Sequence, residues 1–217
     1  VQRFGDAIVN PWLKMLLARH PPRAEYTKAD ISPFFWPNGK LPTSEEYKTL
    51  LAAGFTDYRL KVYGLVENPV ELSLAELEAL GKQTQITLHH CIQGWSGIAE
   101  WGGLPMRALI EKVRPRPEAK MVIFYSFGEG GEGGEYYDSH TLENALDPLT
   151  LLAYEMNDHP LGEVHGAPLR LRVENQLGFK MVKWIRAIEF TDSARHVFKG
   201  EGGYNEDNEF FDSMADI

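Results

Sequence analysis

Hydrophobic positions recur in short blocks along the chain, and most blocks end at a glycine, a proline or a helix-capping residue. Alternating or continuous apolar runs predict strands, whereas a three- to four-residue spacing behind a capping residue predicts a helix. The predicted strands cover residues 58–66, 85–89, 121–125, 169–173 and 184–190. The predicted helices cover residues 11–17, 43–54, 73–80, 104–110 and 147–156. This mixture of short strands and short helices predicts one compact α+β domain.

Three of the predicted helices begin at a residue that suits a helix N-terminus. Thr43 with Glu46, and Ser73 with Glu76, have the spacing of a capping box, in which each side chain bonds the backbone N–H of the other residue. Asp147 stands before a proline, and this pair suits the cap and the first helical position. We therefore expect helices to start at all three places.

The proline-rich segment 23–42 contains an aromatic run, Phe34-Phe35-Trp36. Proline pushes the preceding residue towards extended backbone, so we expect an irregular segment that packs on the remaining fold. From Gly200 the chain is acidic and rich in glycine and asparagine, which predicts a loosely held tail. The predicted division is an N-terminal helix and extension over residues 1–30, the main domain over 31–199 and the tail over 200–217.

The composition is that of a globular protein, with 43% hydrophobic and 24% charged residues. Lys and Arg number 22 against 31 Asp and Glu, a net charge of -9. This charge argues against nucleic-acid binding, which needs a basic face. The longest apolar stretches are far too short to span a bilayer, so we expect a soluble protein. The sequence starts at Val1, and the cytoplasm and the periplasm both stay open as its location.

Cys91 is the only cysteine in the chain and closely follows the strand predicted over residues 85–89. A Gly-Trp-Ser turn comes next, so we expect the thiol at the end of the strand. His89 shares a strand face with Cys91, while His90 points to the opposite side. Three interpretations stay open at this point: a small buried apolar side chain, a thiolate nucleophile with a histidine base, or a soft thiolate ligand to a metal.

Positive charge is concentrated between residues 167 and 188. Five basic residues stand there against a single acid, Glu174, in a chain whose net charge is -9. The five are Arg170, Arg172, Lys180, Lys183 and Arg186. An anionic ligand such as a phosphate requires charge of this kind. A solvated strand face with salt bridges would account for it equally well.

The glycine-rich stretch after the strand at 121–125 formally matches a dinucleotide-binding pattern through Gly128, Gly130 and Gly133. Three glutamates in the same stretch would face the pyrophosphate, and no helix pattern begins at the third glycine. We therefore reject a dinucleotide site and expect a mobile loop beside a site or a plain surface hairpin. The sequence also contains no phosphate loop, no zinc-protease motif, no paired-cysteine zinc spacing and no serine nucleophile elbow.

Six short motifs follow one another along the chain. They are the aromatic segment ending in Asn38-Gly39, Cys91 with Trp95-Ser96, Tyr136-Tyr137-Asp138-Ser139, residues 152–157, His165-Gly-x-Pro-Leu-Arg170, and Gly178-x-Lys180-x-x-Lys183-Trp184-Ile185. In this order and spacing they resemble the molybdopterin-binding domain of the sulfite oxidase family, over about residues 31–190. The resemblance implies a mixed, β-rich α+β fold.

The resemblance also implies a cofactor and the residues that hold it. In the family a single molybdenum is held by one pterin dithiolene, and Cys91 matches the protein's thiolate ligand. Thiolates suit a soft coordination sphere, and metal binding keeps the sulfur deprotonated. Tyr136 matches a tyrosine near the open face of the metal. The other positions that match cofactor contacts are Asn38, Ser126, His165, Arg170, Met181, Val182 and Lys183.

Departures from the family pattern bear on the substrate. Pro37 and Gly39 stand where the motif usually has arginine and histidine. Sulfite oxidases carry basic residues after the cysteine, whereas residues 92–95 are Ile-Gln-Gly-Trp. A divalent oxyanion in a low-dielectric pocket needs compensating charge. The chain therefore looks more like the bacterial reductases of the family, which act on neutral S-oxides.

We thus expect a molybdopterin-dependent oxidoreductase that performs two-electron oxygen-atom transfer and reduces an S- or N-oxide. Its expected partners are a small-molecule oxide or oxyanion and an external electron carrier, such as a cytochrome or a quinone-linked membrane subunit. Oxidation of sulfite is the alternative within the family. Two alternatives come from other classes. One is a cysteine hydrolase that uses Cys91 with His89 or His165. The other is a non-catalytic module that holds a pterin, or a zinc ion through His89 and Cys91.

Overall fold

Two five-stranded sheets form the framework of the computed structural model, which describes residues 26–91, 93–130, 135–176, 178–194 and 196–197. The helix predicted at 11–17 and the tail from Gly200 lie outside these residues. The described α-helices are α1 (Glu45–Ala52), α2 (Leu74–Ala79), α3 (Met106–Val113) and α4 (Leu142–Ala145). The described strands are β1 (Leu60–Gly64), β2 (Val70–Leu72), β3 (Gln83–His90), β4 (Ser96–Pro105), β5 (Met121–Glu129), β6 (Glu135–Thr141), β7 (Leu151–Met156), β8 (His159–Pro160), β9 (Arg170–Arg172) and β10 (Ile185–Thr191).

The strand order shows how distant segments come together. The first sheet has the order β2-β1-β10-β5-β6, and its β1–β10 pair is parallel while its other pairs are antiparallel. The second sheet runs β3-β4-β7-β8, with β9 also paired to β7. Strands dominate and helices are short, so the predicted α+β, β-rich fold is confirmed. None of the described helices is long and apolar enough to cross a bilayer.

One large apolar core joins the two sheets. It includes Val62 of β1 and Ile188 of β10 from the first sheet, Leu104 of β4 and Leu152 of β7 from the second, and Leu109 of α3. All five side chains are fully buried, and each such burial stabilises the fold by about 1.5–3 kcal/mol before entropy is counted. The core therefore fixes β9 and β10 relative to β4, with which β3 pairs, and the candidate site is built on the ends of β3, β9 and β10.

Helix starts follow the predicted capping chemistry at α2 and differ at α1. Ser73 and Glu76 form the expected capping box before α2. The prediction of Thr43 as the cap of α1 was wrong by one residue, because the Ser44 hydroxyl accepts from the Tyr47 backbone N–H at 3.3 Å. The Thr43 hydroxyl is instead bonded to the Glu129 carboxylate.

The helix predicted over residues 147–156 was wrong. Asp147 stabilises a turn, in which its carboxylate accepts from the Leu149 N–H at 2.8 Å and its carbonyl accepts from the Thr150 N–H at 2.9 Å. The following residues form β7, which lies between β4 and β9 and is buried at nearly every position. A short continuous apolar run has no periodicity that separates a buried strand from a helix.

Strands β4 and β6 lie in parts of the chain for which the sequence predicted no strand. In β4 the glycines conceal the pattern: a Cβ added to Gly103 would lie 2.1 Å from the Leu152 backbone oxygen, so the close approach of β4 to β7 requires glycine there. The glycine-rich stretch after β5 joins β5 to β6, which pair antiparallel, an arrangement that agrees with the hairpin alternative. Residues 131–134 of that stretch lie outside the described residues.

Candidate functional site

Cys91 lies at the end of β3, where a tight turn presents its thiol. Its backbone N–H donates to the Trp95 carbonyl and its carbonyl accepts from the Gly94 N–H, both at 3.0 Å. Cys91 and His89 are buried while His90 is exposed, as the strand alternation predicts. The Asn38 side-chain amide points its Nδ2 at the Cys91 Sγ from 3.8 Å. The thiol is therefore shielded from water but contacts a polar group of the irregular segment.

That irregular segment is held in place by Phe35, which confirms the expectation that it packs on the fold. The Phe35 ring is buried among four other rings, with centroid distances of 5.4 Å to His89 and Trp95, 5.5 Å to Trp101 and 6.0 Å to His165. Edge-on and tilted aromatic contacts at such distances are favourable. Because Phe35 is fixed, Asn38, three residues further along, is held close to the thiol.

Lys183 connects the thiol to the basic segment. Its Nζ donates to the Asn38 backbone carbonyl and, at 3.0 Å, to the Val164 carbonyl. It also lies 4.1 Å from the centroid of the Trp184 ring, a favourable cation–π distance. Asn38 thus contacts Cys91 through its side chain and Lys183 through its backbone. The Cys91 thiol and the basic segment between residues 167 and 188, which the sequence indicated separately, therefore belong to one site.

The five basic residues separate into two groups in the structure. Three of them form ion pairs with carboxylates: Arg172 with Glu174 at 2.7 Å, Lys180 with Asp138 at 2.5 Å, and Arg186 with Glu135. These pairs fit the salt-bridge interpretation of the positive charge. Arg170 and Lys183 form no ion pair within the described part of the chain. Of the five basic residues, Arg170 and Lys183 are therefore the two whose charge the described residues leave available to an anion.

Arg170 and Lys183 are both buried, and their hydrogen-bond partners are backbone carbonyls. Arg170 Nη1 donates to the His165 carbonyl at 3.0 Å, and its Nε is buried without a partner among the described residues. Burial, reinforced by Arg172, lowers the pKa of Arg170 well below its usual value. Burial and then Arg170 lower the pKa of Lys183 to about 7. A buried cation without a counter-charge is costly, so an anion bound between the two would relieve both.

The surroundings of His89 and His165 make both rings weak bases. Arg172 Nη1 lies 3.1 Å from His89 Nδ1; because a guanidinium only donates, that nitrogen is an acceptor. Burial first, and Arg172 next, lower the pKa of His89 to about 2. The pKa of His165 is lowered by burial, Arg170 and Lys183. A lowered pKa makes each ring a weaker proton acceptor, and the nearby cations oppose a thiolate–imidazolium pair, which disfavours the cysteine-hydrolase alternative.

The zinc-binding alternative also finds little support. Among the described residues, no group of three or more His, Cys, Asp and Glu side chains is arranged to hold a metal ion. Protein zinc sites usually have three or four such ligands. Within the described residues Cys91 would offer a metal one protein ligand, an arrangement that suits a metal whose other ligands come from an organic chelator.

The remaining predicted site residues surround Lys183. The Ser126 hydroxyl donates to the Lys183 backbone carbonyl at 2.7 Å and accepts from the Gly128 N–H at 2.8 Å. Met181 and Val182, just before Lys183, are buried, and the Val182 carbonyl accepts from the Leu171 N–H at 2.8 Å. These contacts fix the backbone that carries the lysine.

Tyr136 is half-buried on β6, and its hydroxyl donates to the Phe179 carbonyl at 2.7 Å. The structure thus brings together Cys91, Asn38, Ser126, His165, Arg170, Met181, Val182 and Lys183, and links Tyr136 to them through the short turn before Met181.

Trp101 was missed by the sequence reasoning. Its ring lies 4.7 Å from the Arg170 guanidinium carbon and 4.4 Å from that of Arg172, so it supports both cations. Trp101 belongs to β4, the strand that its glycines concealed. A lone tryptophan in an unassigned segment gives no signal for such a role.

Comparison with known proteins decides the family. The family model described as oxidoreductase molybdopterin binding domain matches residues 48–199, about 70% of the chain. The chain belongs to this family. The resemblance drawn from the motif order is therefore confirmed, and a molybdopterin cofactor follows from family membership.

Individual relatives agree with the family. The protein-methionine-sulfoxide reductase catalytic subunit of Xanthomonas axonopodis pv. citri is 32% identical over 163 residues, covering 70% of this chain and 50% of the relative. The corresponding subunit of Campylobacter jejuni is 28% identical over 185 residues, covering 79% of this chain and 62% of the relative. The chain therefore spans only about half to three-fifths of these proteins.

Among solved structures, the sulfane dehydrogenase SoxCD from Paracoccus pantotrophus is similar to this fold. The TM-score is 0.57 and the sequence identity 26%, and the match covers 65% of this chain and 40% of that protein. The agreement supports the sulfite-oxidase-type architecture expected from the sequence.

The residues present fit a molybdopterin. Cys91 offers the soft thiolate that molybdenum favours, with Asn38 Nδ2 3.8 Å away. Arg170 and Lys183 are two buried cations without a carboxylate partner in the described residues, and the Arg170 Nε has an unused proton. A phosphate accepts several charge-assisted hydrogen bonds, so the cofactor's phosphate would satisfy what the protein leaves unsatisfied.

Proposed function

We propose that this chain is a molybdenum oxidoreductase that reduces a neutral S-oxide by two-electron oxygen-atom transfer. The observation that carries the proposal is the junction at Asn38, which joins the Cys91 thiol to the Lys183 ammonium. A metal-binding sulfur and an anion-binding cation thereby share one site. The names of the two reductase relatives support the direction of the reaction and make methionine sulfoxide the first substrate to test.

The proposed roles of the residues follow from their contacts. Cys91 binds molybdenum through its sulfur, and Arg170 and Lys183 bind the phosphate of the pterin. Asn38 and His165 contact the pterin from the irregular segment and from the turn before β9, while Ser126, Met181 and Val182 fix the backbone of Lys183. When bound, the molybdenum–pterin centre supplies the oxygen-atom transfer chemistry.

Tyr136 is proposed to border the open face of the metal. Its hydroxyl donates to the Phe179 carbonyl, so its ring has a fixed position at the edge of the site. A ring held in this way would bound the space that a substrate occupies beside the metal.

The polarity of the turn after Cys91 favours a neutral substrate. The described residues of this turn, Gln93, Gly94 and Trp95, carry no charge, and Arg170 and Lys183 are assigned to the phosphate. Phe34 and Trp36, close in sequence to Asn38, are 57% and 60% exposed and offer apolar surface. An oxyanion such as sulfite would lack a counter-charge, whereas a sulfoxide needs none.

The balanced reaction defines the partners. A sulfoxide takes up two electrons and two protons and leaves as a sulfide and one water molecule. The electrons come from an external carrier, for which we propose a cytochrome or a quinone-linked membrane subunit.

The proposal is tested with the cofactor-loaded protein and a reduced dye as electron donor. We expect dye oxidation that depends on methionine sulfoxide or dimethyl sulfoxide, and no reduction of ferricyanide by sulfite. Cys91→Ser should lower the rate by about 100-fold or more, because the metal loses its protein ligand. Ser96→Ala is the matched control, since this exposed hydroxyl bonds His90 at 2.9 Å. Oxidation of sulfite without reduction of any S-oxide would contradict the proposal.

A further inference from the structure

Lys180 has a different surrounding from the two anion-binding cations. Its side chain is fully buried, and its Nζ donates to the Asp138 carboxylate at 2.5 Å and to the Ser139 carbonyl at 2.7 Å. Its own backbone carbonyl is bonded to His140 Nε2 at 2.8 Å. A carbonyl only accepts, so this ring nitrogen carries the proton. Lys180 is the last residue of a short 3-10 turn, Gly178–Lys180. Both its side chain and its backbone are thus hydrogen-bonded to β6.

The bonds to this turn come from one face of β6. Tyr136, Asp138 and His140 alternate along the strand, so their side chains share a face. Tyr136 bonds the Phe179 carbonyl, and the other two bond Lys180. We call these three residues with Lys180 the β6 clamp. The pattern Tyr-x-Asp-x-His is thus a sequence feature that places three hydrogen-bonding groups opposite one turn.

The clamped turn contacts both halves of the candidate site. At its start, a Cβ added to Gly178 would lie 2.5 Å from His89 Nε2 and 2.9 Å from the His90 carbonyl, so the turn is seated directly on the end of β3 that leads to Cys91. At its end, the Met181 N–H donates to the Gly178 carbonyl at 3.2 Å, and the chain continues to Lys183. A shift of the turn would move the thiol side and the phosphate side together.

We propose that the β6 clamp positions the cofactor site, with Lys180 and Asp138 as positioning residues instead of cofactor ligands. This inference rests on the proposed function only for its cofactor readout. The buried ion pair is neutral overall and leaves Lys180 no charge to offer a phosphate. Its effect is mechanical: it holds Gly178 against His89 and thereby keeps Cys91 and Lys183 at a fixed separation.

Two double variants test the proposal. Lys180→Met with Asp138→Leu removes the buried pair without leaving a single buried charge, a replacement that is often neutral for stability. Glu135→Gln with Arg186→Gln is the matched control, because it removes an ion pair of the same strand whose partner lies on β10. A melting temperature close to the parental value shows that each variant is folded.

The first readout uses the cofactor-free proteins and the single thiol of the chain. We expect iodoacetamide to alkylate Cys91 about 10-fold faster in the clamp variant than in the parent, because a loosened turn lets the end of β3 open. The control variant should react at the parental rate. His140→Phe, which removes one bond and leaves the ion pair, should also react faster than the parent. It keeps the test decisive if the double variant does not fold.

The second readout uses the cofactor-loaded proteins. We expect the pterin to dissociate about 10-fold faster from the clamp variant, as for other changes in the outer shell of a metal site, and the electron paramagnetic resonance spectrum of the metal to change. Parental alkylation and dissociation rates in the clamp variants would overturn the inference. A parent that binds no molybdenum would contradict the proposed function, and the alkylation rates would still decide the role of the clamp.

Discussion

At the scale of single residues, the site is defined by which charges are left unpaired. Arg170 and Arg172 lie two positions apart on β9, yet Arg172 pairs with Glu174 while Arg170 has no ion-pair partner in the part of the chain that the structure describes. The local sequence predicts the excess of positive charge. It could not predict that Lys180 is neutralised, because Asp138 lies 42 residues away in the chain. The sequence identifies the basic residues that could bind an anion, whereas the tertiary fold decides which of them pair with a carboxylate.

Lys183 should make phosphate binding depend on pH. Its folded-state pKa of about 7 lies below the ordinary 10.5, so in the cofactor-free protein the ammonium is largely protonated at pH 6 and largely neutral at pH 9. Added phosphate should therefore raise the melting temperature more at pH 6 than at pH 9. Calorimetry at both pH values, with phosphate and in a buffer without phosphate, measures the effect on the melting temperature.

Lys183 also determines the direction in which the stability of the phosphate-free protein changes with pH. Between pH 7 and pH 10 the unfolded chain binds the proton that folded Lys183 releases, so this lysine makes stability rise with pH over that interval. Lys183→Met should remove this slope and the phosphate effect together, whereas the exposed Lys61→Met control should keep both. Phosphate protection that survives in Lys183→Met would contradict the assignment.

At the scale of elements, the sequence predicted best where local chemistry is explicit. The Ser73–Glu76 capping box identified α2, and alternation identified β1 and β3. Strand β4 was missed because Gly102 and Gly103 interrupt its pattern, and these glycines are there because β7 approaches closely. Strand β7 was taken for a helix because its burial on both faces removes the alternation. Both β4 and β7 are mispredicted because contacts with neighbouring strands, and not local sequence, determine their glycine content and burial.

Gly103→Ala should destabilise the protein by about 1–3 kcal/mol, the usual cost of forcing extra volume into a packed interior. The added Cβ would lie 2.1 Å from the Leu152 backbone oxygen, so β4 and β7 must separate. Urea unfolding measures the change. The matched control is Gly162→Ala, where the nearest atom to the new Cβ is 3.9 Å away. Equal unfolding free energies for the two variants would show that β4 tolerates the displacement.

At the scale of the whole molecule, the site is assembled from segments that are far apart in the chain: the irregular segment with Asn38, the end of β3 with Cys91, and the backbone between β9 and β10 with Lys183. The order of the motifs was enough to predict the family and the β-rich fold. It was not enough to predict the β6 clamp or the neutral state of His89, because both depend on burial between sheets.

The buried His140 should make the whole fold sensitive to acid. Burial, followed by Lys180, lowers its pKa to about 3, against an ordinary value of 6.5. Below pH 6.5 the unfolded chain gains a proton that the folded protein refuses, so stability falls with decreasing pH. His140→Gln should reduce the loss between pH 7 and pH 4.5 by roughly 2 kcal/mol.

Urea unfolding at the two pH values measures this difference. His159→Gln, at an exposed position of β8, is the control and should leave the loss at its parental size. Identical losses in the parent and in His140→Gln would show that His140 is protonated in the folded state.

The central claim is that the Cys91 sulfur is bonded to molybdenum. X-ray absorption at the molybdenum edge counts the sulfur neighbours of the metal in the cofactor-loaded parent and in Cys91→Ser. The account predicts that the variant has one sulfur neighbour fewer than the parent. The same number of sulfur neighbours in both proteins would contradict it.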